Sequence, residues 1–131
     1  MTTTQRPGLY IIPHEVKKRC IACIESISEG ELIELCPVIV LSPEDTKVIH
    51  KTRLHDYYFV WDIEKQSSAI ALGYGSLYNH SDTPNAEFEL MIPDKMIRIY
   101  AVTDIPAGEE ICLDYMGLKD TEATLWFQPS E

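Results

Sequence analysis

The 131-residue chain carries 11 Lys and Arg against 21 Asp and Glu, a formal net charge of −10, with 45% of its residues hydrophobic and 24% charged. That length reads as one domain, residues 1–131, able to bury a core without disulfides or metal, and the composition is not that of a disordered chain. The acidity argues against nucleic acid as a direct partner, because phosphate binding needs a basic surface; it suits a basic peptide, or serves solubility alone.

In chain order, "MTTTQRPGLYIIPHEVKK" holds no basic cluster followed by an apolar run, and no later stretch reaches membrane-spanning length. The expectation is an intracellular protein, cytoplasmic or nuclear, away from membranes. "CIACIES", "ELIEL" and "PVIVL" read as three strands, with "SEG" turning between the first two. "SPEDTKVIHKT" reads as a short helix with Ser42 as N-cap and Pro43 in its first turn. "DYYFVWD" and "SAIAL" are strands joined by "IEKQS". "AEFELMIP" and "MIRIYAVTDI" form a hairpin across "PDK", and "PAGEE" turns into "ICLDYMG". Nothing repeats. Cys20, Cys23, Cys36 and Cys112 are expected to be reduced and mostly buried; Cys20 and Cys23 have zinc-like spacing, but no second close pair exists. Many short strands with few helices exclude a doubly wound nucleotide-binding sheet and point to a compact, mostly β architecture.

One stretch stands apart. "GYGSLYNHSDTPN", residues 73–85, crowds glycines, a proline, two asparagines, a histidine and two tyrosines together. Such density marks either a polar loop or a wall where backbone and side chains approach a ligand. Downstream follows "IRIYAVTDIPAGEEICLDYMG". The ordered set Asn79-His80-Ser81, Pro84-Asn85, Gly108-Glu109-Glu110 and Asp114-Tyr115 resembles the signature regions of SET-domain protein lysine methyltransferases. "SISEGELIEL" is similar to that family's early turn and strand, and Tyr57, Phe59 and Asp62 to its middle region. The resemblance covers roughly residues 16–116, with 117–131 as a tail.

The resemblance implies a SET-domain (β-clip) fold of short curved sheets, few short helices and a C-terminal pseudoknot. It implies S-adenosyl-L-methionine as methyl donor, S-adenosyl-L-homocysteine as product, and a lysine in a basic protein or peptide, histone-like or ribosomal, as acceptor. By that resemblance, Tyr115 and Tyr57 are the catalytic candidates. Arg19, Cys20, Ile21, Asn79, His80, Tyr115 and Trp126 are the cofactor-binding ones, with no metal. Asn79 and His80 would lie against the cofactor, the His80 backbone meeting the adenine edge. The other reading of His80 is a buried, satisfied histidine holding the knot. A small SET domain without flanking modules could also complete its surface by pairing with itself, so a homodimer is a further expectation.

Departures from the family pattern matter as much. The family's Gly-x-Gly is replaced by Lys18-Arg19-Cys20, an arginine common near the cofactor by Ser76, and an aromatic two residues before the catalytic tyrosine by Leu113. The cysteine-rich zinc module that closes the channel in many relatives is absent; "LWF" with Trp126 and Phe127 is the candidate replacement. Two functions stay open: an active lysine methyltransferase, or a degenerate domain that binds a basic peptide or protein without catalysis. Against a third reading, a hydrolase built on His80-Ser81-Asp82, stand the consecutive order of these residues, since triads meet in space, and the lack of a Gly-x-Ser-x-Gly elbow.

Overall fold

The computed structural model describes residues 5–15 and 18–114. In chain order it forms β1 (Leu9–His14), β2 (Lys18–Cys23), β3 (Leu32–Leu41), α1 (Pro43–Ile49), β4 (Tyr58–Asp62), β5 (Ser67–Ala71), β6 (Asn79–His80), β7 (Ala86–Met91), β8 (Met96–Ala101) and β9 (Cys112–Leu113). Two 3-10 helices, Arg53–Asp56 and Gly75–Leu77, intervene. The strands build one five-stranded sheet, ordered β4-β5-β3-β8-β7, and two small pairs, β1 with β2 and β6 with β9. The mostly β architecture of curved sheets with few helices is the expected one.

Local chemistry explains most of the elements. Ser42 Oγ accepts from the Asp45 amide at 3.0 Å and starts α1, with Pro43 at its first position and Glu44 and Asp45 in the first turn. The helix docks through its one buried residue, Thr46, whose hydroxyl meets Ser68 Oγ of β5 at 2.7 Å. β8 alternates half-buried and buried residues without a break and sets Ile97, Ile99 and Ala101 into the core. Ile21, Ile33, Ile105 and Ile111 join them with no accessible surface or nearly none. Each contributes about 1.5–3 kcal/mol through apolar burial.

Two expectations on strands are corrected. "ELIEL" and "PVIVL" form a single strand, β3, that changes partner at Pro37. Leu32 to Pro37 pair with β8, and Val38 to Leu41 pair with β5. A proline lacks the N–H for a ladder bond, but here the ladder itself is handed from one neighbour to the other, so little is lost. The second correction is β1, absent from the sequence reading because Gly8 and Pro13 punctuate it. β1 pairs only with β2 among the described residues, an outer position that tolerates Pro13.

A repeat is present after all. Ile27-Ser28-Glu29-Gly30-Glu31 and Ile105-Pro106-Ala107-Gly108-Glu109 make the same turn. Glu31 N–H donates to Ser28 O at 3.0 Å and Glu109 N–H to Pro106 O at 3.1 Å, with Gly30 and Gly108 at φ of 88° and 83°. A positive φ at the third turn position is the glycine requirement of a type II turn. The two turns are clasped back to back: Ile27 N–H donates to Ile105 O at 2.9 Å, and Ile105 N–H to Ile27 O at 2.8 Å.

Candidate active site

The crowded stretch divides into two halves with different duties. Its first half closes over Glu34, a β3 carboxylate only 2% exposed. Tyr78 Oη donates to Glu34 Oε1 at 2.7 Å, the Tyr74 amide to Oε2 at 3.0 Å, and Gln5 Nε2 to Oε2 at 3.1 Å. Burial, followed by the neighbouring Glu34 charge, pushes the Tyr78 hydroxyl pKa well up and the Cys36 thiol pKa up beside it. Ser76 Oγ accepts from the Ala71 amide at 3.0 Å, so its hydroxyl finishes β5.

The second half meets the C-terminal strand. β6 runs parallel to β9, with Asn79 opposite Cys112 and His80 opposite Leu113, and the Ser81 amide donates to Leu113 O at 2.9 Å. Asn85 locks this junction with both ends of its amide. Its Nδ2 donates to Glu110 O at 2.8 Å and its Oδ1 accepts from the Cys112 amide at 2.9 Å. The side chain thereby stands in for one rung of a sheet, which explains why an asparagine follows Pro84 here.

Asn79 turns the other way and reaches β2. Its Nδ2 donates to Arg19 O and to Glu110 Oε2, both at 2.6 Å. β2 is bound along the same side by the Ile111 amide, which donates to Ile21 O at 2.8 Å. The Arg19 guanidinium lies 5.9 Å from the centre of the half-buried Tyr57 ring, at the outer limit of a cation–π contact. Five of the residues singled out from sequence, Arg19, Cys20, Ile21, Tyr57 and Asn79, thus converge on one wall, with Cys20 and Ile21 buried beneath it. Tyr115 and Trp126 lie outside the described residues, as does the "LWF" segment.

Lys18, Arg19 and Cys20 belong to a regular antiparallel strand, and the positive-φ non-glycine residues among those described are Gln66 and Lys95. Extended backbone at 18–20 accepts side chains without strain, so non-glycine residues there do not distort β2. Its Arg19 carbonyl is held by Asn79 all the same.

His80 departs from one of its two readings. Its side chain is 36% exposed, with Nε2 3.3 Å from Asp82 Oδ1 and Nδ1 3.8 Å from Asp114 Oδ1. It is not a buried histidine sealed in the knot. Leu113, by contrast, is fully buried. Two features were missed from sequence: the Glu34 cluster, hidden because its partners lie 29 to 44 residues away, and the bond of Glu110 to Asn79, since Glu110 was read as part of the Gly-Glu-Glu signature turn without a site role. A cavity of about 360 Å³ lined by Thr46, His50, Tyr58 and Gln66 lies beside α1, apart from this wall.

The family model for the SET domain matches residues 18–116. The chain is 33% identical over 111 residues to the Schizosaccharomyces pombe histone-lysine N-methyltransferase specific for H3 lysine-37, covering 84% of this chain and 74% of that protein. Among solved structures, a candidate histone methyltransferase of Plasmodium falciparum is 31% identical with a TM-score of 0.68, covering 84% of this chain and 94% of that one. Arabidopsis thaliana SUVH6 in complex with SAM superposes with a TM-score of 0.72 at 19% identity, over 86% of this chain and 29% of that one, a likeness of fold.

Proposed function

The chain belongs to the SET-domain family, whose matched relatives include a histone-lysine methyltransferase, and from that premise we propose that it is an S-adenosylmethionine-dependent protein-lysine N-methyltransferase. The observation that carries this reading is the bond from Asn79 Nδ2 to Arg19 O. It joins the Asn-His segment to β2, which supports the reading of these two segments as one wall facing the methionine end of the cofactor.

Bound there, S-adenosylmethionine supplies an electrophilic methyl on a sulfonium, and transfer to an amine is an in-line displacement governed by distance and alignment. The residues of this wall fit such a ligand: carbonyls of an extended strand, an asparagine amide, and an aromatic ring. The acceptor lysine has to arrive without its proton, although free lysine titrates near 10.4. Tyr57 and the Arg19 guanidinium beside it favour the neutral amine, through a less polar wall and a like charge. Tyr57 and Tyr115 are assigned to orient that amine. An aliphatic Leu113, where the family pattern has an aromatic, cannot hold water near the amine and so favours more than one round of methylation. The net charge of −10 selects a basic lysine-containing segment as substrate.

Calorimetric titration with S-adenosylmethionine and S-adenosylhomocysteine tests the reading. Saturable one-site binding that weakens about tenfold or more in Asn79→Ala is expected. A folded protein that binds neither ligand, with or without a basic peptide, would instead be a non-catalytic peptide-binding domain.

A further inference from the structure

Two asparagines flank the junction of β6 and β9, and they are held in opposite ways. Asn85 uses both its donor and its acceptor on backbone. Asn79 uses only its amino group, because both of its partners, the Arg19 carbonyl and the Glu110 carboxylate oxygen, can only accept. The orientation of the Asn79 amide follows from that chemistry. One N–H goes to each acceptor, and Oδ1 is left over. No described residue donates to Oδ1, and no buried side-chain oxygen or nitrogen among the described residues lacks a partner, so this atom opens on accessible space.

We infer that Glu110 is a positioning residue: its carboxylate fixes the Asn79 amide so that Oδ1, a pure acceptor, faces the bound ligand. The ligand group at that point is then a donor, and the α-ammonium of the cofactor's methionine end has that chemistry. Arg19 O alone does not fix the amide, because one acceptor can be met with Oδ1 in more than one direction. The carboxylate supplies the second anchor. Glu110 is itself placed by Asn85, which holds its backbone carbonyl at 2.8 Å. The Pro84-Asn85 and Gly108-Glu109-Glu110 segments thereby act through Asn79, and Glu110 needs no contact with the ligand. This inference rests on the cofactor reading above.

The test compares S-adenosylhomocysteine with its deamino analogue, the same thioether lacking the α-ammonium, by calorimetric titration. Wild-type protein is expected to prefer S-adenosylhomocysteine by about tenfold or more, the range of a charge-assisted hydrogen bond. Glu110→Ala is expected to bring that ratio close to one, while Glu110→Gln, which keeps an acceptor oxygen, preserves most of it. A ratio unchanged in Glu110→Ala, with both ligands weakened alike, overturns the inference and assigns Glu110 a purely structural role. The wild-type ratio needs no variant, so equal affinity for the two ligands overturns it even if Glu110→Ala fails to fold. Failure of wild-type protein to bind either ligand removes the cofactor reading and this inference together; binding with an unchanged ratio removes this inference alone.

Discussion

Tyr78 donates its hydroxyl to Glu34 Oε1 at 2.7 Å inside the core, where Tyr78 has no accessible surface and Glu34 is 2% exposed. A buried carboxylate is tolerated when its oxygens are met by donors, and here they are a phenol, a backbone amide and a side-chain amide. Tyr78→Phe removes one of these and leaves Oε1 without its hydroxyl donor. The expected cost is about 1–3 kcal/mol in urea unfolding, with Gln5→Ala costing less because Gln5 is only half-buried. Equal stability of Tyr78→Phe and wild type would show that Glu34 finds another donor.

The same burial makes stability sensitive to alkali. Burial raises the pKa of the Tyr58 hydroxyl to about 12, and burial together with the neighbouring Glu34 charge pushes that of Tyr78 well above its ordinary value. Unfolded tyrosine titrates near 10, so above about pH 10 the folded chain keeps protons that the unfolded chain has released. Stability contributed by these groups is therefore complete below about pH 10 and is lost as pH rises toward about 12 and beyond. Urea midpoints measured from about pH 8 to 11.5 should fall over the upper part of that range. Tyr58→Phe should shallow the fall; an unaltered slope would place the alkaline transition on other groups.

Glycine substitutions separate backbone strain from collision. Gly73 has φ of 66°, and a Cβ there would run into the Glu34 carboxylate. Gly30 has φ of 88° but open space where its Cβ would sit. Gly30→Ala should cost about 1–2 kcal/mol, the penalty of a left-handed conformation. Gly73→Ala should cost clearly more, since it also displaces the carboxylate that Tyr78 and Tyr74 hold. Thermal melts of the two variants side by side decide this, and the reverse order would contradict it.

Substrate encounter should depend on salt. For a chain of net charge −10 that takes a basic segment, peptide affinity is expected to weaken several-fold between about 50 and 300 mM salt. At saturating cofactor, mass spectrometry should show di- or trimethylated product, given the aliphatic, buried Leu113. Affinity flat in ionic strength, or product that stops at one methyl, argues against the respective half of this expectation.

Much of this molecule was legible in residue order alone. The helix start at Ser42, the hairpins of β4 with β5 and β7 with β8, and the membership shown by Asn79-His80, Pro84-Asn85, Gly108-Glu109-Glu110 and Asp114 are all carried by neighbours a few positions apart. Capping, turn chemistry and alternation act over one or two turns of chain, so a linear reading captures them. The tertiary structure decided what depends on distance along the chain. Pro37 looked like a strand end, yet β3 continues because β8 and β5, drawn from 59 and 33 residues further on in Met96 and Ile70, take it up in succession. Lys18-Arg19-Cys20 reads in sequence as a departure from the family pattern, and only the folded chain shows an extended β2 that offers Arg19 O to Asn79, 60 residues away. Glu110 is legible in sequence as part of the Gly-Glu-Glu signature turn, but only the folded chain shows its carboxylate meeting that same amide. Composition and spacing determine which local conformations the chain can adopt. Which carboxylate meets which amide is decided only when the strands that carry them are packed together, because hydrogen bonds act over about 3 Å and take no account of sequence separation.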